Sequence, residues 1–146
     1  MRNRSFATLG ILALLAASSA FGQDSLRVDV PFEFHVADAV MPAGLYYVGP
    51  SDRSTHNLLS LSCFDCESQA VTLTSPVGGG SDVATEGRLM FNKYGETYFL
   101  SEVWVPGSSY GRSLFKSRTE REIARTTPQA HVTVPAQAVH VTIARR

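Results

Sequence analysis

The sequence predicts an all-β fold, an antiparallel sandwich or small barrel of about seven or eight strands with one short helix near residues 117–125. Three observations carry this. From Leu26 to Val36 the even positions Leu26, Val28, Val30, Phe32, Phe34 and Val36 are apolar, while Arg27, Asp29, Glu33 and His35 lie between them. That period of two puts one strand face in a core and the other in water. Further short β-rich runs recur along the chain with Gly and Pro between them. Only Lys116 to Arg125 has helical punctuation, with Ser117 and Glu120 at capping-box spacing and Arg125 in the last turn.

The chain is expected to begin with an export signal. Met1-Arg2-Asn3-Arg4 carries two positive charges, Phe6 to Ala17 is free of charge, and small residues follow to Ala20-Phe21-Gly22. The apolar run is shorter than the roughly 20 residues a spanning helix needs. Cleavage is expected before Gln23, with a cut after Ala20 as the alternative. No cysteine follows the cut, which argues against a lipid anchor. Residues 1–22 are thus expected to be a signal peptide and 23–146 a single β domain in the periplasm or outside the cell. Arg2 and Arg4 leave with the signal, so 13 basic residues become 11 against 13 acidic ones, a formal charge near −2. That balance argues against a nucleic-acid binder, and no later segment is apolar enough to cross a membrane.

Within the first strand Pro31 cannot donate to a ladder, so the strand is expected at an edge or with a bulge. Met41-Pro42-Ala43-Gly44 supplies turn chemistry before a second strand at Leu45 to Val48, which should pair antiparallel with the first. Leu58 to Phe64 and Ala70 to Thr74 are two more short strands, and Pro76 to Asp82, with Gly78-Gly79-Gly80, reads as an exposed loop. Arg88 to Tyr94 and Thr97 to Val105 form the strongest hairpin. Alternation places Tyr98, Leu100, Glu102 and Trp104 on one face of its second strand and Phe99, Ser101, Val103 and Val105 on the other. Pro106 to Gly111 breaks the pattern. After the helix, Val132, Val134, Val139, Val141 and Ile143 mark one or two closing strands interrupted by Pro135.

Phe32-Glu33-Phe34, Met41 to Tyr46, Phe91 to Trp104 and the basic stretch Lys116 to Arg125 together carry a resemblance. They are similar to a group of short exported proteins of unknown function from soil bacteria of the acidobacterial type. That group shares an F-x-F strand, a P-A-G-x-Y turn, a Y-G-x-x-Y-F-L hairpin and an S-R-x-E-R-E helix. The resemblance covers most of the mature chain and implies a conserved exported domain, with no activity attached. The P-A-G-x-Y turn alone also resembles the strand junctions of transthyretin-like and carboxypeptidase-regulatory β-sandwich modules.

Candidate chemistry is sparse. Cys63-Phe64-Asp65-Cys66 reads as a local disulfide pinning a turn; two free thiols, half a zinc site or a redox pair are the alternatives. Zinc needs two more ligands, and His35, His56, His131 and His140 lack paired spacing. A redox pair belongs at a helix N-terminus, whereas the flanks here are β-like. Arg112, Lys116, Arg118, Arg121 and Arg125 form either an anion or partner surface or a solvated helix face with an Arg118–Glu122 pair. Tyr94, Tyr98, Phe99, Trp104 and Tyr110 are either core or, if exposed, ligand-facing aromatics. Glu33, Glu96, Glu102 and Ser101 are the groups a hydrolase would use, but no nucleophile elbow, zinc helix or phosphate loop surrounds them. No catalytic residue, metal or cofactor is assigned. The expected function is a non-enzymatic binding or structural module of unknown partner. A lipocalin-like barrel holding a small apolar ligand is the alternative, and a hydrolase a more distant one.

Overall fold

Alternation of inward and outward side chains closes the sheet on itself. The computed structural model describes residues 25–51, 54 and 57–139. The expected signal segment 1–22, His56, His140, Val141 and Ile143 lie outside them. The described residues form strands β1 (Ser25–Val30), β2 (Phe34–Val36), β3 (Ala39–Met41), β4 (Gly44–Pro50), β5 (Leu58–Cys63) and β6 (Gln69–Gly78). Next come β7 (Gly87–Tyr94), β8 (Thr97–Trp104), β9 (Tyr110–Leu114), helix α1 (Arg118–Ala124) and β10 (Gln129–Val139). Eight of the strands close a barrel in the order β1-β4-β5-β6-β9-β8-β7-β10, each antiparallel to its neighbours. Of the two expected architectures, the barrel is the one formed.

An eight-stranded barrel has an interior just wide enough for side chains to fill. Here Leu26, Tyr46, Leu59, Leu61, Leu89 and Phe91 fill it, all fully buried. One end is stoppered by rings. Phe32 stacks on Tyr98 with centroids 3.9 Å apart and meets Phe91 edge-on, while Phe34 meets Phe91 and Tyr46 edge-on. The Tyr46 hydroxyl donates to the Pro42 carbonyl, so the tyrosine of the P-A-G-x-Y turn ties the turn to the strand that leaves it.

Several expectations are corrected. The first strand is split at Pro31: β1 lies inside the barrel between β4 and β10, and β2 sits outside, joined to β8 by the single parallel pair His35↔Phe99 and to β3. Pro31 follows the last pair of the β1–β4 ladder, Val30↔Gly44, and cannot donate to a further one, so the chain leaves the ladder there. Pro76 to Gly78 belong to β6 rather than to a loop, because β9, which the Pro106–Gly111 break concealed, pairs with them. Pro135 does not interrupt β10; pairing with β1 begins only at Gln137, so on that flank the proline has no neighbour to disturb.

The face assignment of β8 is also corrected. Ser101 is an extra residue opposite the Met90–Phe91 step, a β-bulge that reverses the alternation. Leu100 and Val103 therefore both turn inward, opposite Phe91 and Leu89, and Phe99 turns outward opposite Asn92. There Phe99 stacks on His35, centroids 4.6 Å apart, and meets Tyr94 edge-on. The bulge builds a second apolar shelf outside the barrel, and β2 rests on it.

The barrel closes where β8 meets β9, through Glu102↔Ser113 and Val103↔Arg112. Trp104 covers this seam. A Cβ on Gly111 would come within 2.6 Å of the indole and one on Gly78 within 2.9 Å, so the ring packs against bare backbone. Arg88 sits on the ring, 4.9 Å from its centroid, and the indole N–H donates to Glu102 Oε2 at 2.8 Å. Trp104 is the single tryptophan in the sequence. Gly111→Ala is expected to displace it, red-shift its fluorescence and cost about 1–3 kcal/mol in urea unfolding. An unchanged emission maximum and midpoint would refute this packing.

Candidate functional site

At the end opposite the aromatic stopper no described side chain closes the lumen. Strands β4, β6 and β8 finish there and β5 and β9 begin, leaving a cavity of about 300 Å³ at the mouth. Val48, Leu59, Val103 and Val105 form its apolar walls, and Thr74, Tyr110 and Arg112 stand at its rim. Register explains Arg112. It pairs with Val103, whose side chain is buried in the lumen, and with Pro76, so its side chain shares the inward face. It is the one charged side chain among the described residues of the lining.

The rim is held by hydrogen bonds. Thr74 donates to the Asn57 carbonyl from both its amide, at 2.8 Å, and its hydroxyl, at 3.1 Å, fastening the β4–β5 connection to the barrel. Ser108 Oγ donates to the Tyr110 carbonyl at 2.8 Å and accepts from the Tyr110 amide at 3.2 Å, which orients the start of β9. Gly79 has φ +105°, and a Cβ there would meet the Tyr110 ring at 2.6 Å, so glycine satisfies both backbone and ring.

Helix α1 is clamped to the outside of the barrel. Ser117 caps it, accepting from the Glu120 amide at 3.1 Å. Capping-box spacing predicts that Glu120 reaches back to the cap, but its carboxylate turns inward instead. Glu120 is 4% exposed, and its Oε1 accepts from Asn92 Nδ2 at 2.8 Å and from Tyr94 OH at 3.0 Å. Gln129 joins the network, donating to Asn92 Oδ1 at 3.0 Å. Thr119 bonds Asp38 at 3.3 Å, linking the helix to the β2–β3 turn. A buried carboxylate is costly unless hydrogen bonds compensate it, and this network supplies them. Burial and the adjacent Glu120 push the Tyr94 hydroxyl up to about 12.

The expected site residues scatter. Among the aromatics, Tyr110 lines the mouth; Tyr94 is buried in the clamp, Tyr98 belongs to the stopper and Trp104 covers the seam. The basic residues divide between the mouth and the helix region. Arg112 faces the mouth, whereas Lys116 reaches Tyr94 OH at 3.4 Å and Gln129 Oε1 at 3.3 Å. Arg118 pairs with Glu122 at 3.0 Å in full solvent, and Arg121 and Arg125 are exposed. Cys63 and Cys66 lie at bonding distance, Cα atoms 5.3 Å apart, on the β5–β6 turn at the stoppered end.

Glu33, His35 and Glu96 line one shallow depression beside the stopper. Among the described residues no hydrogen bond joins any two of Glu33, Glu96, Glu102, His35 and His131, and no group of three or more His, Cys, Asp or Glu is placed to hold a metal. Sequence reasoning missed Asn57, Thr74 and Ser108 at the mouth and Asn92, Glu120 and Gln129 in the clamp. The alternation Tyr110, Arg112, Leu114 is the signal that marks β9 and joins two residues otherwise assigned to separate sets.

Comparison with known protein families, with curated proteins and with solved structures finds no match to this chain.

The Tyr94 shift has a sign. Its folded value lies above the ordinary 10.0, so its contribution to stability is complete below pH 10 and is lost as pH rises toward about 12. Thermal melts from pH 9 to 12 should fall along that limb, and Tyr94→Phe should flatten it. An alkaline limb of equal slope in both proteins would contradict the clamp.

Proposed function

We propose that the chain is a small exported binding module whose open barrel mouth holds a short amphipathic ligand with an anionic head. The observation that carries this is the asymmetry of the barrel: rings stopper one end, and the other keeps an apolar-walled cavity of about 300 Å³ with a guanidinium at its rim. The alkyl part lies between Val48, Leu59 and Val103, and the head faces Arg112. Arginine suits this role because it stays charged and presents a planar donor fork that matches a carboxylate. A guanidinium serves as a fixed anion contact rather than a proton carrier, which supports a binding role.

The size of the cavity restricts the ligand. Binding pockets for small molecules run from about 300 to 1,000 Å³, so this mouth takes a short chain. The apolar-carrier alternative survives in this shallow form, since side chains fill the deeper lumen. Export is part of the same proposal, supported by the charged and apolar order of residues 1–22 and by a cysteine pair at bonding distance, compatible with an oxidising compartment. Membership of the acidobacterial-type exported group is likewise proposed, on the four motif segments alone.

Hexanoate is a suitable probe. Titrated into labelled protein, it should shift the resonances of Val48, Leu59, Thr74 and Val103 saturably. Arg112→Gln should weaken it by about tenfold, the loss of one charge-assisted contact, and hexanol should bind the native protein no better than hexanoate binds that variant. Shifts scattered away from the mouth, or equal affinity in Arg112→Gln, would overturn the assignment.

A further inference from the structure

Outside the barrel, under the segment that joins β9 to α1, the clamp leaves a pocket of about 250 Å³. Its floor is the outer face of the sheet, where Met90 pairs with Glu102 and Asn92 with His131. Glu120 descends on it from the helix, and Lys116 and Gln129 stand at its lip.

Most hydrogen-bond donors here are already committed. Asn92 Nδ2 goes to Glu120, Gln129 Nε2 to Asn92, and Ser101 Oγ to the Met90 carbonyl at 2.9 Å. Tyr94 has one proton for Glu120 or Gln129, whose oxygens lie at 3.0 and 3.1 Å. The acceptors are in surplus. Both bonds to Glu120 fall on Oε1, and Oε2 takes none among the described residues. No buried side-chain oxygen among those residues lacks a partner, so Oε2 is not sealed from solvent, and Glu120 lines the pocket. Glu102 likewise accepts the indole N–H on Oε2, leaving Oε1. Each carboxylate oxygen has lone pairs for two donors, so the surplus is real.

The geometry points to a binding site for a short aliphatic diamine in its diammonium form, one that nothing in the barrel-mouth proposal requires. One ammonium group meets Glu120 Oε2 and the other Glu102 Oε1, with the methylene chain over Met90. Two carboxylates against the single ammonium of Lys116 leave the lining at a formal charge of about −1 before a ligand enters, and a donor-rich cation complements it. Lys116 occupies part of the same field: its Nζ lies 3.3 and 3.4 Å from Gln129 and Tyr94, long contacts that an incoming ammonium replaces. Glu120 needs no rearrangement, because Asn92 and Tyr94 already hold its carboxylate in place.

The test uses the mature protein with 1,4-diaminobutane as probe and 1,4-butanediol as its uncharged counterpart, followed by amide chemical shifts at neutral pH. Saturable shifts confined to Met90, Asn92, Glu102, Ser113 and His131 are expected with the diamine and not with the diol. Glu102→Gln, which keeps an oxygen for Trp104, should weaken the diamine by about tenfold or more. Lys116→Met should tighten it several-fold. Both variants should keep the native amide spectrum elsewhere, which separates loss of the site from loss of the fold. Shifts spread over the acidic surface, equal affinity in Glu102→Gln, weaker binding in Lys116→Met or equal response to the diol would each overturn the proposal.

Discussion

Everything about this molecule depends on the short seam where β8 meets β9. Two residue pairs, Glu102↔Ser113 and Val103↔Arg112, turn an open sheet into a barrel. The chain makes room for them in two ways. Gly78 and Gly111 leave flat backbone on which Trp104 lies, and the Ser101 bulge bends β8 just before the seam. The bulge also reverses the side chains that precede it. Phe99 then points outward, and the shelf it forms with His35 and Tyr94 supports β2 on one side and borders the helix clamp on the other. Closure, the outer shelf and the seating of α1 thus follow from one inserted residue and two glycines.

Closure also gives the barrel two unlike ends. At one, the crossing from β1 to β2 carries Phe32 and Phe34 over the lumen, where they meet Phe91, Tyr98 and Tyr46. Burying such rings contributes on the order of 2–3 kcal/mol apiece, so this end resists opening. At the other end no ring among the described residues crosses the axis. Thr74 and Ser108 there hydrogen-bond to the backbone, and strand pairing brings Arg112 next to the buried Val103. Stability and binding are thereby assigned to opposite ends of one core.

Much of the fold is legible in the sequence because a closed sheet obeys simple alternation. Leu26, Val28 and Val30 face inward as their period requires, the hairpin around Gly95 and Glu96 pairs Tyr94 with Thr97, and Ser117 begins the helix. What escapes notice depends on partners distant in sequence. β9 is hidden because its Gly and Ser residues read as a break, and only pairing with β6 and packing under Trp104 make Gly111 a strand residue. The bulge at Ser101 has no local signature, so every face assignment before it is inverted. Glu120 sits at a position that predicts capping, yet Asn92 and Tyr94 offer better compensation from β7. The mouth combines residues from five strands and connections, and no spacing along the chain could have assembled it.

Native-state amide hydrogen exchange tests the closed barrel most directly, because the seam is the only place where β9 has β8 as a neighbour. Closure predicts that Arg112, Ser113 and Leu114 resist exchange as strongly as Val28 and Val30 in β1, opening only with global unfolding. Rapid exchange at whichever of the Arg112 and Ser113 amides faces β8, with β1 and β7 still protected, would mean that the sheet is open between β8 and β9, and would contradict the account built on its closure.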